Sequence, residues 1–110
     1  MHDQIYAEEI IKEAETYGRV KTVSIELGDL APITGEVLEH AIRNQKPGWR
    51  VKLYPKDSKI KCEKCGFEGK AKVVERLHEA VIYECPICGE DLPEVLEGKQ
   101  IILKSVEIED

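Results

Sequence analysis

The sequence predicts an α+β fold: a three-stranded mixed sheet with two helices, carrying a small inserted domain. Three observations predict it. Two stretches, residues 3–17 and a second that starts at Thr34 and ends before Pro47-Gly48, place apolar residues at helical spacing. Three runs, residues 21–27, 49–54 and 100–108, are strand-like. The stretch 58–97 holds all 4 cysteines, in two pairs spaced as in a zinc ribbon, and has only short apolar pieces. Residues 1–57 and 98–110 are thus expected to form one α+β domain, with 58–97 inserted between them.

In the first helix Ala7, Ile10, Ile11, Ala14 and Tyr17 line one face, Asp3 suits the N-cap or the first turn, and Gly18 suits the stop. The first strand points Val23, Ile25 and Leu27 one way and breaks at Gly28-Asp29. Thr34 is a candidate N-cap for the second helix, whose expected buried stripe is Val37, Leu38, Ala41 and Ile42, and Pro47-Gly48 ends that unit. Trp49, Val51 and Leu53 alternate with Arg50, Lys52 and Tyr54 in a second strand expected to stop at Pro55. In the last strand the apolar phase slips between Leu103 and Val106, as at a bulge.

Composition narrows the function classes. The 110-residue chain carries a formal net charge of −6. Nucleic-acid binders usually present a basic face that neutralises phosphates, and the run Lys56, Lys59, Lys61, Lys64 reads better as a solvated face. No apolar run reaches the roughly 18 residues that span a bilayer. The N-terminus lacks the basic start and apolar stretch of a signal peptide, so a cytoplasmic protein is expected. There, paired cysteines more often bind metal than form disulfides.

Cys62-Glu63-Lys64-Cys65-Gly66 and Cys85-Pro86-Ile87-Cys88-Gly89 form two C-x2-C turns with 19 residues between them. Two intervening residues let both sulfurs of a turn reach one ion, and the following glycine permits a positive φ. Two facing turns complete a tetrahedron of thiolates around Zn(II). With four protein ligands no coordination position stays open, so the site is structural rather than catalytic. Two alternatives stand beside it. One is iron, because the second turn resembles that of rubredoxin, although this segment has only Phe67 and Tyr83 as aromatics. The other is a pair of disulfides.

Met1-His2-Asp3 would be unremarkable inside a chain. At a free N-terminus the α-amine, the His2 backbone nitrogen and the His2 imidazole close fused chelate rings, and a deprotonated amide favours square-planar Ni(II) or Cu(II). Asp3 could add its amide or its carboxylate. His40 lies on the second helix at an expected surface or boundary position, and His78 lies in the loop between the cysteine pairs. His78 is a possible additional nickel ligand.

Met1-His2-Asp3 opening a helix, the Val23–Gly28 strand, the Cys62/Cys65 and Cys85/Cys88 pairs and the closing apolar strand occur in one order. Ile25-Glu26-Leu27-Gly28-Asp29-Leu30 and Val37-Leu38-Glu39-His40-Ala41-Ile42 match as well. In this order the chain resembles the HypA/HybF family of hydrogenase nickel-incorporation proteins along nearly its whole length. The resemblance implies a metallochaperone that binds nickel at Met1, His2 and Asp3 and holds zinc at Cys62, Cys65, Cys85 and Cys88. It also implies work with a nickel-handling GTPase of the HypB type and a hydrogenase large-subunit precursor, with urease as a client of some members. The family's third residue is usually Glu, where this chain has Asp3. A monomer or weak homodimer is expected, with no nucleic-acid or membrane partner. Two other functions are compatible with the cysteine pairs: a zinc-ribbon interaction or nucleic-acid module, and a rubredoxin-like iron electron carrier. An enzyme is not expected, since the sequence shows no nucleophile elbow, phosphate loop or open-position zinc triad.

Overall fold

The computed structural model describes residues 2–77 and 80–109, and for His2 and Asp3 the backbone alone. Two compact units emerge. Unit 1 comprises Met1–Glu26, Ile33–Tyr54 and Ile101–Asp110; unit 2 comprises Leu27–Pro32 and Pro55–Gln100.

In unit 1, helix α1 spans His2–Glu15, so Asp3 falls in its first turn. Ala7, Ile10, Ile11 and Ala14 are buried, as their spacing requires. Tyr17, expected on the same face, lies past the end of the helix and is 62% exposed. Helix α2 spans Gly35–Gln45, and its N-cap Thr34 accepts from the Val37 N–H at 3.3 Å through its hydroxyl. Leu38, Ala41 and Ile42 are buried, whereas Val37, expected in that stripe, sits at its margin and is exposed. The two helices pack on each other, with Lys46 Nζ 3.1 Å from a Glu15 carboxylate oxygen.

The sheet has the order β2-β1-β8, with β1 at Val20–Gly28, β2 at Arg50–Lys56 and β8 at Ile101–Ile108. The Gly28 N–H donates to the Gln100 carbonyl and the Glu109 N–H to the Arg19 carbonyl, so β8 runs antiparallel to β1. The Asp29 N–H donates to the Lys56 carbonyl just past the ends of β1 and β2, as expected of parallel strands joined through a helix. The sheet is therefore mixed. Strand β2 continues through Pro55 to Lys56, one step beyond the expected stop, because an edge strand tolerates a missing N–H. Central β1 buries Val23 and Ile25 on one side and Thr22 on the other. In β8 the half-buried Leu103 and Val106 are separated by two exposed residues, which reproduces the phase slip seen in the sequence.

Unit 2 contains strands too short to show periodicity. Strand β3 (Lys59–Lys61) pairs antiparallel with both β4 (Glu68–Gly69) and β7 (Glu94–Glu97). Strands β5 (Lys72–Arg76) and β6 (Val81–Glu84) form a separate ribbon that is irregular between Val73 and Glu75. The core of the unit is Leu30, Ile60, Cys62, Ala71, Tyr83 and Cys85, flanked by Phe67, Val73, Val81 and Val95. This unit is wider than the 58–97 insertion read from sequence. Residues 27–32 belong to it because the Leu30 N–H donates to the Gly98 carbonyl at 2.8 Å and the Leu30 side chain is 4% exposed in the core.

Candidate metal centre

The two cysteine turns are built alike. In the first, the Gly66 N–H donates to the Cys62 carbonyl at 2.8 Å and the Cys62 N–H donates to the Phe67 carbonyl at 2.8 Å. In the second, the Gly89 N–H donates to the Cys85 carbonyl and the Cys85 N–H to the Glu90 carbonyl, both at 3.0 Å. Gly66 and Gly89 take φ values of 81° and 78°, a left-handed conformation that a side chain would penalise. These turns follow β3 and β6, and their first cysteines, Cys62 and Cys85, are buried in the core of unit 2. Cys65 and Cys88 are exposed.

The four sulfurs converge. Cys62 Sγ lies 3.5 Å from Cys88 Sγ, Cys65 Sγ lies 3.6 Å from Cys85 Sγ, and all four fall within 4.8 Å of one another. A disulfide needs about 2.05 Å between sulfurs. A tetrahedral Zn(II) with bonds of about 2.3 Å requires sulfurs about 3.8 Å apart. The two cross-turn separations lie near the tetrahedral value and far from a disulfide's, so the donor set fits a thiolate-bound metal ion such as zinc.

As free thiols the cysteines would not titrate alike. At Cys85 desolvation opposes ionisation, but hydrogen bonds from the Cys88 and Ile87 backbone and from Cys65 and Cys88 outweigh it and bring the thiol down to about 7. At Cys88 a backbone hydrogen bond from Glu90 favours the thiolate. Desolvation and hydrogen bonds with Cys62, Cys65 and Cys85 override it and push the thiol up to about 12. Cys65 is also raised: the Phe67 backbone favours its thiolate, and desolvation together with bonds to Cys85 and Cys62 wins. Four sulfurs this close cannot all ionise without a cation between them.

Met1 and His78 lie outside the described residues, as do the side chains of His2 and Asp3. His40 is exposed on α2. The sequence reading missed the support beneath the cysteines. The Phe67 and Glu90 carbonyls fix the turns, while Leu30 and Tyr83 pack in the same core as the buried pair. The repeated C-x2-C-G pattern was the available signal for the first of these, and nothing local pointed to Leu30. Lys64 Nζ lies 3.5 Å from a Glu90 carboxylate oxygen and so ties one turn to the other.

Together these features define a small two-unit α+β protein with a four-cysteine cluster that could hold a metal ion. The family model described as hydrogenase/urease nickel incorporation, metallochaperone, hypA matches residues 1–108. The chain belongs to this HypA family. Among its relatives, the hydrogenase maturation factor HypA of Thermococcus sibiricus is 28% identical over 99% of this chain and 97% of its own length. That of Methanococcus vannielii is 30% identical over 99% and 98%. The solution structure of the Ni metallochaperone HypA from Helicobacter pylori shares the fold, with a TM-score of 0.61 at 12% identity over 96% of each chain.

Proposed function

We propose that this protein carries Ni(II) on its first residues and delivers it, with a partner GTPase of the HypB type, to a [NiFe]-hydrogenase large-subunit precursor. The observation that carries this reading is the family match over residues 1–108, which includes Met1-His2-Asp3. The Met1 amine, the His2 backbone nitrogen and the His2 imidazole would hold nickel, with Asp3 supplying its amide or carboxylate and His78 completing the set. This requires the Met1 amine to be free. Unit 1 would serve as the nickel-binding domain, and unit 2, which extends beyond the expected 58–97, as the zinc-binding one.

Cys62, Cys65, Cys85 and Cys88 would hold a structural Zn(II), supported by sulfurs within 4.8 Å of one another. The ion would neutralise the thiolates and cross-link two turns whose short strands bury little apolar surface, and so contribute folding free energy. The protein itself would catalyse no reaction and would act in the cytoplasm as a monomer or weak homodimer. Among the described residues no helix is long and apolar enough to cross a membrane.

The test is isothermal titration of nickel into untagged protein, beside His2→Ala, His78→Ala and a version extended at its N-terminus. Micromolar binding by the parent and at least about tenfold weaker binding by His2→Ala and the extended form are expected. A His2→Ala variant that binds as tightly as the parent would overturn the terminal site, and unchanged affinity, spectrum and transfer rate in His78→Ala would remove that ligand.

A further inference from the structure

Beside the cysteine turns, unit 2 carries a groove of about 570 Å³ that the metal centre does not use. Its walls hold four carboxylates, Glu63, Glu90, Asp91 and Glu94, against two lysines, Lys61 and Lys64. Lys64 is already paired with Glu90, so the groove keeps a net negative field. The remaining wall residues are Leu92 and Pro93. Leu92 is 60% exposed, a large apolar side chain presented to solvent among acids.

The backbone holds it there. Leu92 has a φ of 46°, the only positive value at a non-glycine among the described residues. Its N–H donates to the Tyr83 carbonyl at 3.2 Å, Tyr83 is buried, and neighbouring Asp91 forms a β-bridge with Glu84. The unfavourable conformation is thus set by neighbouring structure and is not the drift of a loose loop. Glycine would fill the position without strain, yet the chain places leucine there. On one flank, Glu94 opens β7, which among the described residues is an edge strand of its sheet.

We propose that this groove is a docking surface for a basic segment of another protein that inserts an apolar side chain beside Leu92. The carboxylates select the lysines or arginines of that segment, and Leu92 with Pro93 forms the apolar contact. Glu63, Lys64 and Glu90 belong to or adjoin the cysteine turns, so an ion held by the four thiolates would also hold this wall in shape. Docking here does not depend on nickel at the N-terminus, and its failure leaves the nickel reading untouched.

The test uses the full chain loaded with zinc and a fluorescein-labelled short peptide of alternating lysine and leucine. Two controls replace its lysines by glutamate or its leucines by serine. Binding is followed by anisotropy over a salt series, and the site is mapped by amide shifts in the 15N NMR spectrum. The lysine–leucine peptide is expected to bind and to shift the amides of Glu90–Glu94, and each control to bind at least about fivefold more weakly. Leu92→Gly should lose at least about fivefold in affinity while melting no lower than the parent, because it removes the contact and the strain together. Asp91→Asn with Glu94→Gln should weaken binding and flatten its salt dependence. The proposal is overturned if the serine control binds as well, if the glutamate control binds as well, if the shifts lie elsewhere, or if Leu92→Gly binds like the parent. Self-association of the free chain that Leu92→Gly abolishes, seen by sedimentation, would also overturn it and assign the groove to a second copy.

Discussion

Gly28 closes β1 where three stretches of chain cross, and replacing it with alanine is expected to damage the protein more than its small size implies. A Cβ built there would lie 2.1 Å from the Gly98 carbonyl oxygen and 2.3 Å from its carbon, both backbone atoms that cannot swing aside. Relief requires the crossing to open by about 1 Å. Two hydrogen bonds close it: the Gly28 N–H to the Gln100 carbonyl at 2.9 Å and the Leu30 N–H to the Gly98 carbonyl at 2.8 Å. Stretched by that amount, neither survives. Losing both costs about 2 kcal/mol net, and the residual overpacking adds about 1–3 kcal/mol, for a total of about 3–5 kcal/mol. A domain of this size holds about 5–15 kcal/mol in all. At several degrees per kcal/mol, the melting temperature of Gly28→Ala should fall by on the order of 15 °C. Thermal unfolding of the zinc-loaded chain followed by circular dichroism measures this, with Gly48→Ala as control. A Cβ at Gly48 meets nothing within 4 Å, and that variant should melt within about 2 °C of the parent or slightly higher. If the two variants melt together, the close crossing does not exist as described.

Three further outcomes are expected. Removing the metal with a strong chelator, or Cys62→Ser, should lower amide-exchange protection at Ile60, Tyr83 and Cys85 while leaving α1 and α2 protected, since the ion cross-links only unit 2; uniform loss across both units would contradict this. Both Asp29 carboxylate oxygens are buried without a hydrogen bond in the described structure, and Lys70 Nζ approaches one at 3.8 Å. Lys70→Met should therefore destabilise by about 1 kcal/mol in urea titration, the lysine being largely exposed and its field screened, and adding Asp29→Asn should restore most of the loss; an additive double variant would refute the coupling. Zinc affinity should fall as pH drops from 8 to 6, because Cys88, raised to about 12, releases its proton to solvent only when the metal displaces it. Cys85, lowered to about 7, regains one as pH falls through that value. The sign follows for the metal-free fold at Cys85: a depressed thiol stabilises above its ordinary value of 9.0, and that contribution is lost as pH falls through about 7. A competition titration with a chromogenic chelator that gives a flat pH profile would contradict this.

Long, strongly periodic elements were legible without a structure. Ala7, Ile10, Ile11 and Ala14 return to one face every three or four residues, and Val23 and Ile25 alternate, so local geometry alone assigns α1 and β1. Edges of those patterns were less legible. Tyr17 and Val37 continue the spacing but stand exposed, because periodicity shows which direction a residue points and not where the packed partner ends. Strands β3 to β7 run two to five residues each, too short to carry a period.

The four cysteines followed a similar division. Their class of chemistry was readable from two C-x2-C-G turns, because sulfur spacing within a turn is a local property of the chain. That the turns face each other, with Cys62 and Cys85 inside and Cys65 and Cys88 outside, depends on Ile60, Ala71, Tyr83 and the remote Leu30 sharing one core. The terminal motif Met1-His2-Asp3 stands at the other extreme: the chelating role proposed for it would rest on three consecutive residues. By itself, then, the sequence determined the two helices, the long strands, the thiolate chemistry and the family pattern, all of which rest on contacts or spacings within a few residues. Only the tertiary structure decided that residues 27–32 join the cysteine unit, that Gly28 and Gly98 cross at contact distance, and that Leu92 stands strained in an acidic groove. Each of these arises where segments far apart in the chain meet, and no spacing along the chain records such a meeting.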